Sequence, residues 1–217
     1  MTLCRTVIIA KAPVAGYCKT RLIPALGPDG AAQLAAQMLQ HTVRTAMAAQ
    51  LGPVELCAAP HAAHPLWATL ELPAPLGWSD QGEGDLGQRM ARAAQRTLVR
   101  GEHLLLIGSD CPVLTASHLR DAAGALQPGT AALIPTFDGG YALLGLATMQ
   151  PHLFTDMPWS TADVARITLD RLAQVGVQVH LGAKVHDVDT LADLDHLPHS
   201  LRVHCATLHA AAIAPKT

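Results

Sequence analysis

The sequence predicts an α/β fold, a three-layer α/β/α sandwich around a mostly parallel, mixed sheet. Short apolar runs typical of buried strands alternate along the chain with longer segments whose apolar residues recur at helical spacing. The chain has 217 residues, a length sufficient for one domain with a full core. We therefore expect a single domain over residues 1–217, with its core in residues 6–197 and a peripheral His- and Ala-rich tail in residues 198–217.

The first half of the chain begins with a β-branched apolar run at residues 7–10, which predicts a buried strand. A helix is expected from Pro28 to Gly52, because Pro favours the first turn of a helix and Gly followed by Pro ends one. The other elements predicted here are a strand at 54–58, a helix at 61–70, an ambiguous segment at 73–78 and an amphipathic helix at 86–99.

The second half begins with the continuous apolar run 104–107, which predicts a central parallel strand covered on both faces. Thr115 is expected to cap a helix that reaches residue 125. Residues 160–163 resemble a capping box for a helix that ends at Gly176. The other elements predicted here are strands at 131–135, 141–146 and 177–181 and a short helix at 190–197.

Composition argues against several classes of function. The net charge is −2 without a basic block, and aromatic residues make up 3% of the chain, so nothing favours nucleic-acid binding. No apolar run is long enough to span a membrane, and no signal peptide is evident. We expect a cytoplasmic protein with small-molecule partners, and the sequence leaves a homodimer open. Scattered cysteines without a C-x-x-C pair predict reduced thiols at Cys4, Cys18, Cys57, Cys111 and Cys205.

Three cations follow the first predicted strand closely: Lys11, Lys19 and Arg21. Pro13 and Gly16 predict a loop at this point. In open α/β sheets ligands bind just past the carboxyl ends of strands, and Arg and Lys suit phosphate oxygens. The loop therefore suits a polyphosphate; the alternative is a solvated surface loop that carries three charges.

The pair Lys19–Thr20 resembles the end of a Walker A loop. That motif requires Gly directly before the Lys and another Gly five residues earlier. Cys18 and Pro13 stand at those places, so the segment is not a P-loop.

Acidic residues at two further places could hold a metal ion. Asp110 directly follows the predicted central strand, and Mg²⁺ commonly uses one or two carboxylates together with substrate phosphates. Alternatively, Asp110 caps the next helix. Asp187 and Asp189 point to the same side if their segment is extended, so one or both could complete the site. The alternative is that Asp189 or Thr190 caps the helix at 190–197.

Two glycine-rich segments could contact a ligand through free backbone amides. Residues 81–89 contain Gly84 and Asp85 at the entry to a helix, a position that suits an anion or a nucleobase edge. Asp85 equally suits a helix cap. Asp138 stands in a tight turn at 138–141, which could present a carboxylate or could be an ordinary hairpin.

Six motifs in order resemble the DUF2064 family. They occupy residues 10–22, 81–87, 108–112, 138–141, 158–161 and 187–190. The resemblance implies the nucleotide-diphospho-sugar transferase fold, called GT-A, which is Rossmann-like. More distant relatives of that fold include 2-phospho-L-lactate guanylyltransferase and the molybdenum cofactor guanylyltransferase.

The resemblance also implies roles for individual residues. Lys19, Arg21 and Asp110 would be catalytic, and residues 138–141 and 159–161 would border the sugar or acceptor side. A direct attack by the acceptor would also need a base, for which Asp138 and Asp156 are candidates. Asp110 and Asp189 would bind Mg²⁺ or Mn²⁺, with Asp187 as a further candidate. The nucleotide would be held by Ala10, Lys11, Ala12, Lys19, Arg21, Gly84, Asp85, Ser109 and Asp110.

The implied activity is that of a metal-dependent glycosyltransferase-like enzyme with a nucleotide-diphosphate sugar as donor. An alternative is a nucleotidyltransferase that joins an NTP to a phosphorylated acceptor and releases pyrophosphate. A third class is a nucleotide-binding module without turnover. Only one acid, Asp110, follows the central strand, where many glycosyltransferases have a paired Asp-x-Asp. This departure keeps nucleotidyl transfer open, as does the fold itself, which hosts both chemistries.

Overall fold

A seven-stranded mixed sheet forms the centre of the structure, a computed structural model that describes residues 2–202. The strands follow the order β3-β2-β1-β4-β6-β5-β7. Among the described strands only β6 runs antiparallel to its neighbours, so the predicted mostly parallel sheet is confirmed. The strands are β1 (Cys4–Lys11), β2 (Val54–Ala59), β3 (Gly77–Asp80), β4 (His103–Gly108), β5 (Thr130–Pro135), β6 (Tyr141–Leu146) and β7 (Gln178–Leu181).

Helices cover both faces of the sheet, which gives the predicted three layers. They are α1 (Ile23–Ala48), α2 (Leu86–Leu98), α3 (Ala116–Gly124) and α4 (Val164–Gln174). Alternate residues of the central strand β4 enter two separate cores. Leu105 and Ile107 pack in the cluster that contains α1 and α3, whereas Leu104 and Leu106 pack in the one that contains α2 and α4. The continuous apolar run predicted this arrangement, because a strand buried on both faces has no polar face.

Most predicted elements occur within a few residues of their expected bounds. The main part of α1 begins at Pro28 as expected, after Gly27 breaks the helix with φ 70°. Residues 61–70 contain only a short 3₁₀ helix (Pro65–Thr69), and the ambiguous segment at 73–78 leads into β3. The predicted strand at 177–181 is β7. None of the described helices has the length and apolar character needed to cross a membrane.

The predicted capping box at residues 160–163 is wrong. Helix α4 begins at Val164, and its N-cap residue Asp163 makes no side-chain capping bond. The carbonyl of Gly139, in the turn between β5 and β6, instead accepts a hydrogen bond from Ala165 N–H at 2.9 Å. A Cβ atom at Gly139 would lie 2.1 Å from the carbonyl oxygen of Ala162, so only glycine fits there. A backbone carbonyl from a distant turn therefore provides the hydrogen-bond acceptor that an N–H group in the first turn of this helix needs.

The beginning of the expected tail packs on the protein. Leu201 is buried in a cluster with Leu22, Leu26 and Val188. Residues 203–217, with Cys205, lie outside the described residues. The four described cysteines are free, as expected, and burial raises the pKa of Cys4 to about 12.

A network of buried charges joins three neighbouring strands and α2. The carboxylate of Glu55 on β2 accepts hydrogen bonds from Ser79 on β3 at 2.6 Å and from Arg96 on α2 at 2.5 Å. Arg5 on β1 lies 3.4 Å from Glu55 and 2.6 Å from Glu102. Burial by itself raises the pKa of Glu55, but these hydrogen bonds and the charges of both arginines bring the net pKa below its usual value.

We expect Glu55→Gln to lower the free energy of unfolding at pH 7 by about 3 kcal/mol, because it leaves the partly buried guanidinium of Arg96 without a counter-charge and removes one of the two carboxylates beside Arg5. A carboxylate with a depressed pKa stabilises the fold above its unfolded-state pKa and loses that effect as the pH falls through its folded-state pKa. The difference in unfolding free energy between the variant and the wild type should therefore become smaller at pH values below the usual pKa of Glu. Urea unfolding at several pH values measures this. The exposed Glu71→Gln is the control, and a deficit that does not change with pH would contradict the assignment.

Candidate active site

The first strand and the central strand end side by side at one edge of the sheet. Strands β1 and β4 are parallel neighbours, with Ile9 opposite Gly108. The loop after β1 turns at Gly16, where φ is 82°, and Tyr17 N–H donates to the carbonyl of Val14 at 3.0 Å. The sheet thus brings the cation-bearing loop next to the residues after β4, including Asp110.

Lys19 lies at the meeting point of these segments. Its ammonium forms ion pairs with Asp110 and with Asp189, the latter at 2.8 Å. The Lys19 side chain is 7% exposed, whereas those of Asp110 and Asp189 are 57% and 41% exposed. Burial lowers the pKa of Lys19, but the charges of Asp110 and Asp189 outweigh it, so the net pKa is raised and the ammonium stays charged.

Neither carboxylate of this pair is used as a helix cap. Helix α3 begins several residues after Asp110 and is capped by Thr115, which accepts from His118 N–H at 3.2 Å. The last short helix, a 3₁₀ helix at Leu191–His196, has Thr190 as its N-cap residue, as the alternative interpretation allowed, in a capping box where Asp193 accepts hydrogen bonds from the N–H groups of Asp189 and Thr190. The capping interpretation therefore fails for both Asp110 and Asp189.

The two carboxylates of Asp110 and Asp189 could together hold a divalent cation. One positive charge, the Lys19 ammonium, already lies between the carboxylates of Asp110 and Asp189. Among residues 2–202, no group of three or more His, Cys, Asp or Glu side chains is arranged to hold a metal ion. A cation at this place would therefore take its other ligands from a substrate and water, which is the usual arrangement for Mg²⁺.

A cavity of about 960 Å³ opens between the loop and the strand ends; we call it the loop cavity. Arg21 is 72% exposed, with Asp189 at 3.7 Å, and Lys11 is exposed without an ion pair among the described residues. Both cations are thus available to an anion in the cavity. Of the residues predicted to bind a nucleotide, those that line it are Ala10, Lys11, Ala12, Lys19, Arg21, Ser109 and Asp110.

The structure does not bring Gly84 and Asp85 to the lining of the loop cavity. Asp85 is the N-cap residue of α2, and its carboxylate accepts from Gln88 N–H at 2.8 Å. The carbonyl of Gly84 accepts from Arg89 at 2.9 Å. The alternative interpretation of Asp85 as a helix cap is therefore confirmed. The free N–H groups at the start of α2 need acceptors, and the Asp85 carboxylate provides one.

A second cavity of about 350 Å³ lies on the other side of Asp110 and Asp189, which line both. We call it the Trp159 cavity; its walls include Trp159, Asp138 and Asp187. Burial, followed by the charge of Asp138, raises the pKa of Asp187. Asp156, the other candidate base, lines neither cavity, and its carbonyl accepts from Arg171 at 2.9 Å.

Two residues at the loop cavity received no role in the sequence analysis. Tyr17, 85% exposed, lines the cavity. Gln81 is buried and donates to the carbonyls of Ala10 at 2.8 Å and Cys57 at 3.0 Å, which ties β1 to β2 at the cavity edge. Its place in the glycine-rich segment 81–89 was the signal that could have found it. Ser160, in the motif that the resemblance placed on the sugar or acceptor side, lines both cavities with a left-handed backbone, φ 65°.

The comparison with protein-family models gives one match. Residues 42–161, more than half of the chain, match the family described as "Uncharacterized protein conserved in bacteria (DUF2064)". The chain belongs to this family. The resemblance that the six motifs indicated is thereby confirmed. No curated protein matches the chain.

Solved structures resemble this member of DUF2064 over almost its whole length. A "putative nucleotide-diphospho-sugar transferase" from Desulfovibrio desulfuricans G20 is 27% identical, with a TM-score of 0.83 over 97% of this chain and 98% of that one. A nucleotidyl transferase from Methanothermobacter thermautotroptrophicus is 13% identical, with a TM-score of 0.59 over 94% of this chain and 98% of that one. At such low identity the second match supports the fold alone. The predicted GT-A-like fold is confirmed.

We expect Lys19→Met to lower the free energy of unfolding by about 1–2 kcal/mol, because two facing carboxylates lose their shared counter-charge while remaining partly solvated. Millimolar Mg²⁺ should raise the Tm of this variant more than that of the wild type, since the cation no longer competes with an ammonium. Lys11→Met, which removes an unpaired cation from the same loop, is the matched control. Equal Mg²⁺ effects on wild type and Lys19→Met would show that the carboxylates do not bind the ion.

Proposed function

We propose that this DUF2064 protein is a metal-dependent glycosyltransferase that uses a nucleotide-diphosphate sugar as its donor. One observation carries the proposal: Lys19, Asp110 and Asp189 meet where an open cavity lined by the exposed cations Lys11 and Arg21 adjoins a smaller, largely apolar cavity. The Desulfovibrio relative is named for the same class of substrate, and its fold matches 97% of this chain. A transferase needs two adjoining sites, one for each substrate, and the two cavities supply them.

The loop cavity suits the donor. A diphosphate placed there meets Lys11, which has no ion pair among the described residues, and Arg21, which is largely exposed although Asp189 lies 3.7 Å away. Arg presents a planar fork to phosphate oxygens and Lys a compact charge. Asp110 and Asp189 would hold a divalent cation, which neutralises charge on the departing diphosphate when it is bound.

Residues of this chain are then proposed to act on the leaving group and on the acceptor. Lys19 and Arg21 stabilise the negative charge that develops on the nucleoside diphosphate as it leaves. Asp138 is proposed to accept the proton of the acceptor. The hydroxyl of Thr136 and the N–H of Gly140 both donate to Oδ1 of Asp138, the latter at 3.0 Å. This holds the carboxylate in place while no described residue donates to Oδ2.

Nucleotidyl transfer is the second candidate. The single acid after β4 favours keeping it, because many glycosyltransferases have a paired Asp-x-Asp there. The fold also permits it, since a nucleotidyl transferase from Methanothermobacter thermautotroptrophicus has a similar fold. In that reaction a phosphorylated acceptor attacks the α-phosphate of an NTP, and the same cations stabilise pyrophosphate. The cytoplasmic location and the homodimer remain predictions.

Product analysis separates the candidates. With UDP- and GDP-sugars and Mg²⁺ or Mn²⁺, glycosyl transfer or slow donor hydrolysis releases a free nucleoside diphosphate. With NTPs and sugar phosphates, nucleotidyl transfer releases pyrophosphate. Pyrophosphate without nucleoside diphosphate would overturn our first choice. Tight nucleotide binding with neither product would favour a binding module.

We expect Asp110→Asn to abolish the increase in UDP or GDP affinity that Mn²⁺ produces. The loss should exceed about tenfold, because even residues that only support metal ligands commonly cost that much. Isothermal titration calorimetry with and without Mn²⁺ measures it. Asp170→Asn, which removes an exposed carboxylate that pairs with Arg166 on α4, is the matched control. An unchanged metal-dependent affinity in Asp110→Asn would remove the metal site from the proposal.

A further inference from the structure

The Trp159 cavity carries charge of one sign only. Four carboxylates line it, those of Asp110, Asp138, Asp187 and Asp189, and no described lining residue is Lys, Arg or His. Lys19 pairs with Asp110 and Asp189. Asp138 and Asp187 have no ion-pair partner among the described residues. Negative charge therefore remains in the cavity even when a cation occupies the Asp110–Asp189 pair.

The rest of the wall is largely apolar. Met90, Leu106, Trp159 and Val164 present hydrocarbon, sulfur and aromatic surface to the cavity. A volume of about 350 Å³ is within the range of small-molecule sites. A ligand with an apolar body fits such a wall, because transfer of apolar surface from water is favourable.

A hydroxyl group in this wall lacks a good partner. Tyr141 lines the cavity beside Met90, and the one contact of its hydroxyl among the described residues is the Met90 sulfur at 3.9 Å, a weak acceptor. Burial raises the pKa of Tyr141 well above its usual value, so the hydroxyl keeps its proton. Buried polar groups are almost always hydrogen-bonded, and a ligand that brings a polar group to this point would satisfy it.

We infer that the Trp159 cavity binds an acceptor with an apolar body, a hydroxyl or amino group and no phosphate. This inference rests on the proposed function and specifies its second substrate. A phosphorylated acceptor would place its charge beside Asp138 and Asp187 without a cation from the lining, and like charges in contact disfavour binding strongly. A neutral or cationic polar group meets the same carboxylates favourably.

The proposed transfer balances as follows for a hydroxyl acceptor. The acceptor oxygen forms a bond to the anomeric carbon of the donor sugar. The bond between that carbon and the diphosphate oxygen breaks, and its electron pair leaves with the nucleoside diphosphate. The hydroxyl proton passes to the carboxylate of Asp138.

Three small molecules that share a phenylethyl group and differ only in their polar group test the charge preference of the Trp159 cavity. They are 2-phenylethylamine, 2-phenylethanol and 2-phenylethyl phosphate, each titrated by ligand-observed NMR. The amine and the alcohol should bind, and the phosphate ester should bind at least about tenfold more weakly than the amine. Tyr141→Phe should weaken the alcohol about fivefold, the effect of one lost hydrogen bond. A phosphate ester that binds as tightly as the amine would overturn the inference, as would no binding of any probe at millimolar concentration.

The double variant Asp138→Asn and Asp187→Asn isolates the cause. It keeps the shape of the cavity and should reduce the preference for amine over phosphate by about tenfold or more. The surface pair Asp163→Asn and Asp170→Asn, on the exposed side of α4, should leave the preference unchanged. An unchanged preference in the cavity variant would contradict the charge argument.

Donor binding, measured on the same samples with UDP- and GDP-sugars, separates this inference from the proposed function. Charge-selective probe binding without nucleotide binding would refute the proposed function and leave the cavity's preference standing. Nucleotide binding together with a tightly bound phosphate ester would refute the inference alone.

Discussion

A buried ammonium group shared by two carboxylates holds the functional face of this protein together. Lys19 comes from the loop after β1, Asp110 follows β4, and Asp189 lies 170 residues beyond Lys19. A hydrogen bond of 2.9 Å from Val188 N–H to the carbonyl of Asp110 joins the two acidic segments directly. Because an ammonium with so little solvent would be costly alone, the two carboxylates stabilise the loop in this position.

The two cavities that meet at this ion pair differ in charge. The loop cavity has Lys11, without an ion pair among the described residues, and the largely exposed Arg21. The Trp159 cavity has two carboxylates, Asp138 and Asp187, without an ion-pair partner among the described residues. This asymmetry gives the site a direction: an anion is favoured on one side and an uncharged or cationic molecule on the other. Such a separation suits the transfer of a neutral group away from a phosphate, which is why it favours glycosyl over nucleotidyl transfer.

Residues beside the site adopt conformations or contacts that local sequence rules do not anticipate. Lys19 and Ser160 have left-handed backbones without being glycine. His186 stacks between Phe137, at 4.0 Å between ring centres, and His196, at 3.5 Å. Backbone strain and stacked rings of this kind occur where surrounding structure imposes them, often near binding sites.

Local patterns were sufficient for the α/β class, the buried central strand and the helices α2 and α3, because periodicity and caps such as Asp85 and Thr115 act within a few residues. They also placed Lys19, Asp110 and Asp189 at element ends. Folding alone decided that the Lys19 ammonium lies between Asp110 and Asp189, that Gly139 replaces the expected cap of α4, and that Gln81 ties two strands together. Those outcomes join segments distant in the chain, and the energy of such contacts depends on strand order and packing, which no local pattern encodes.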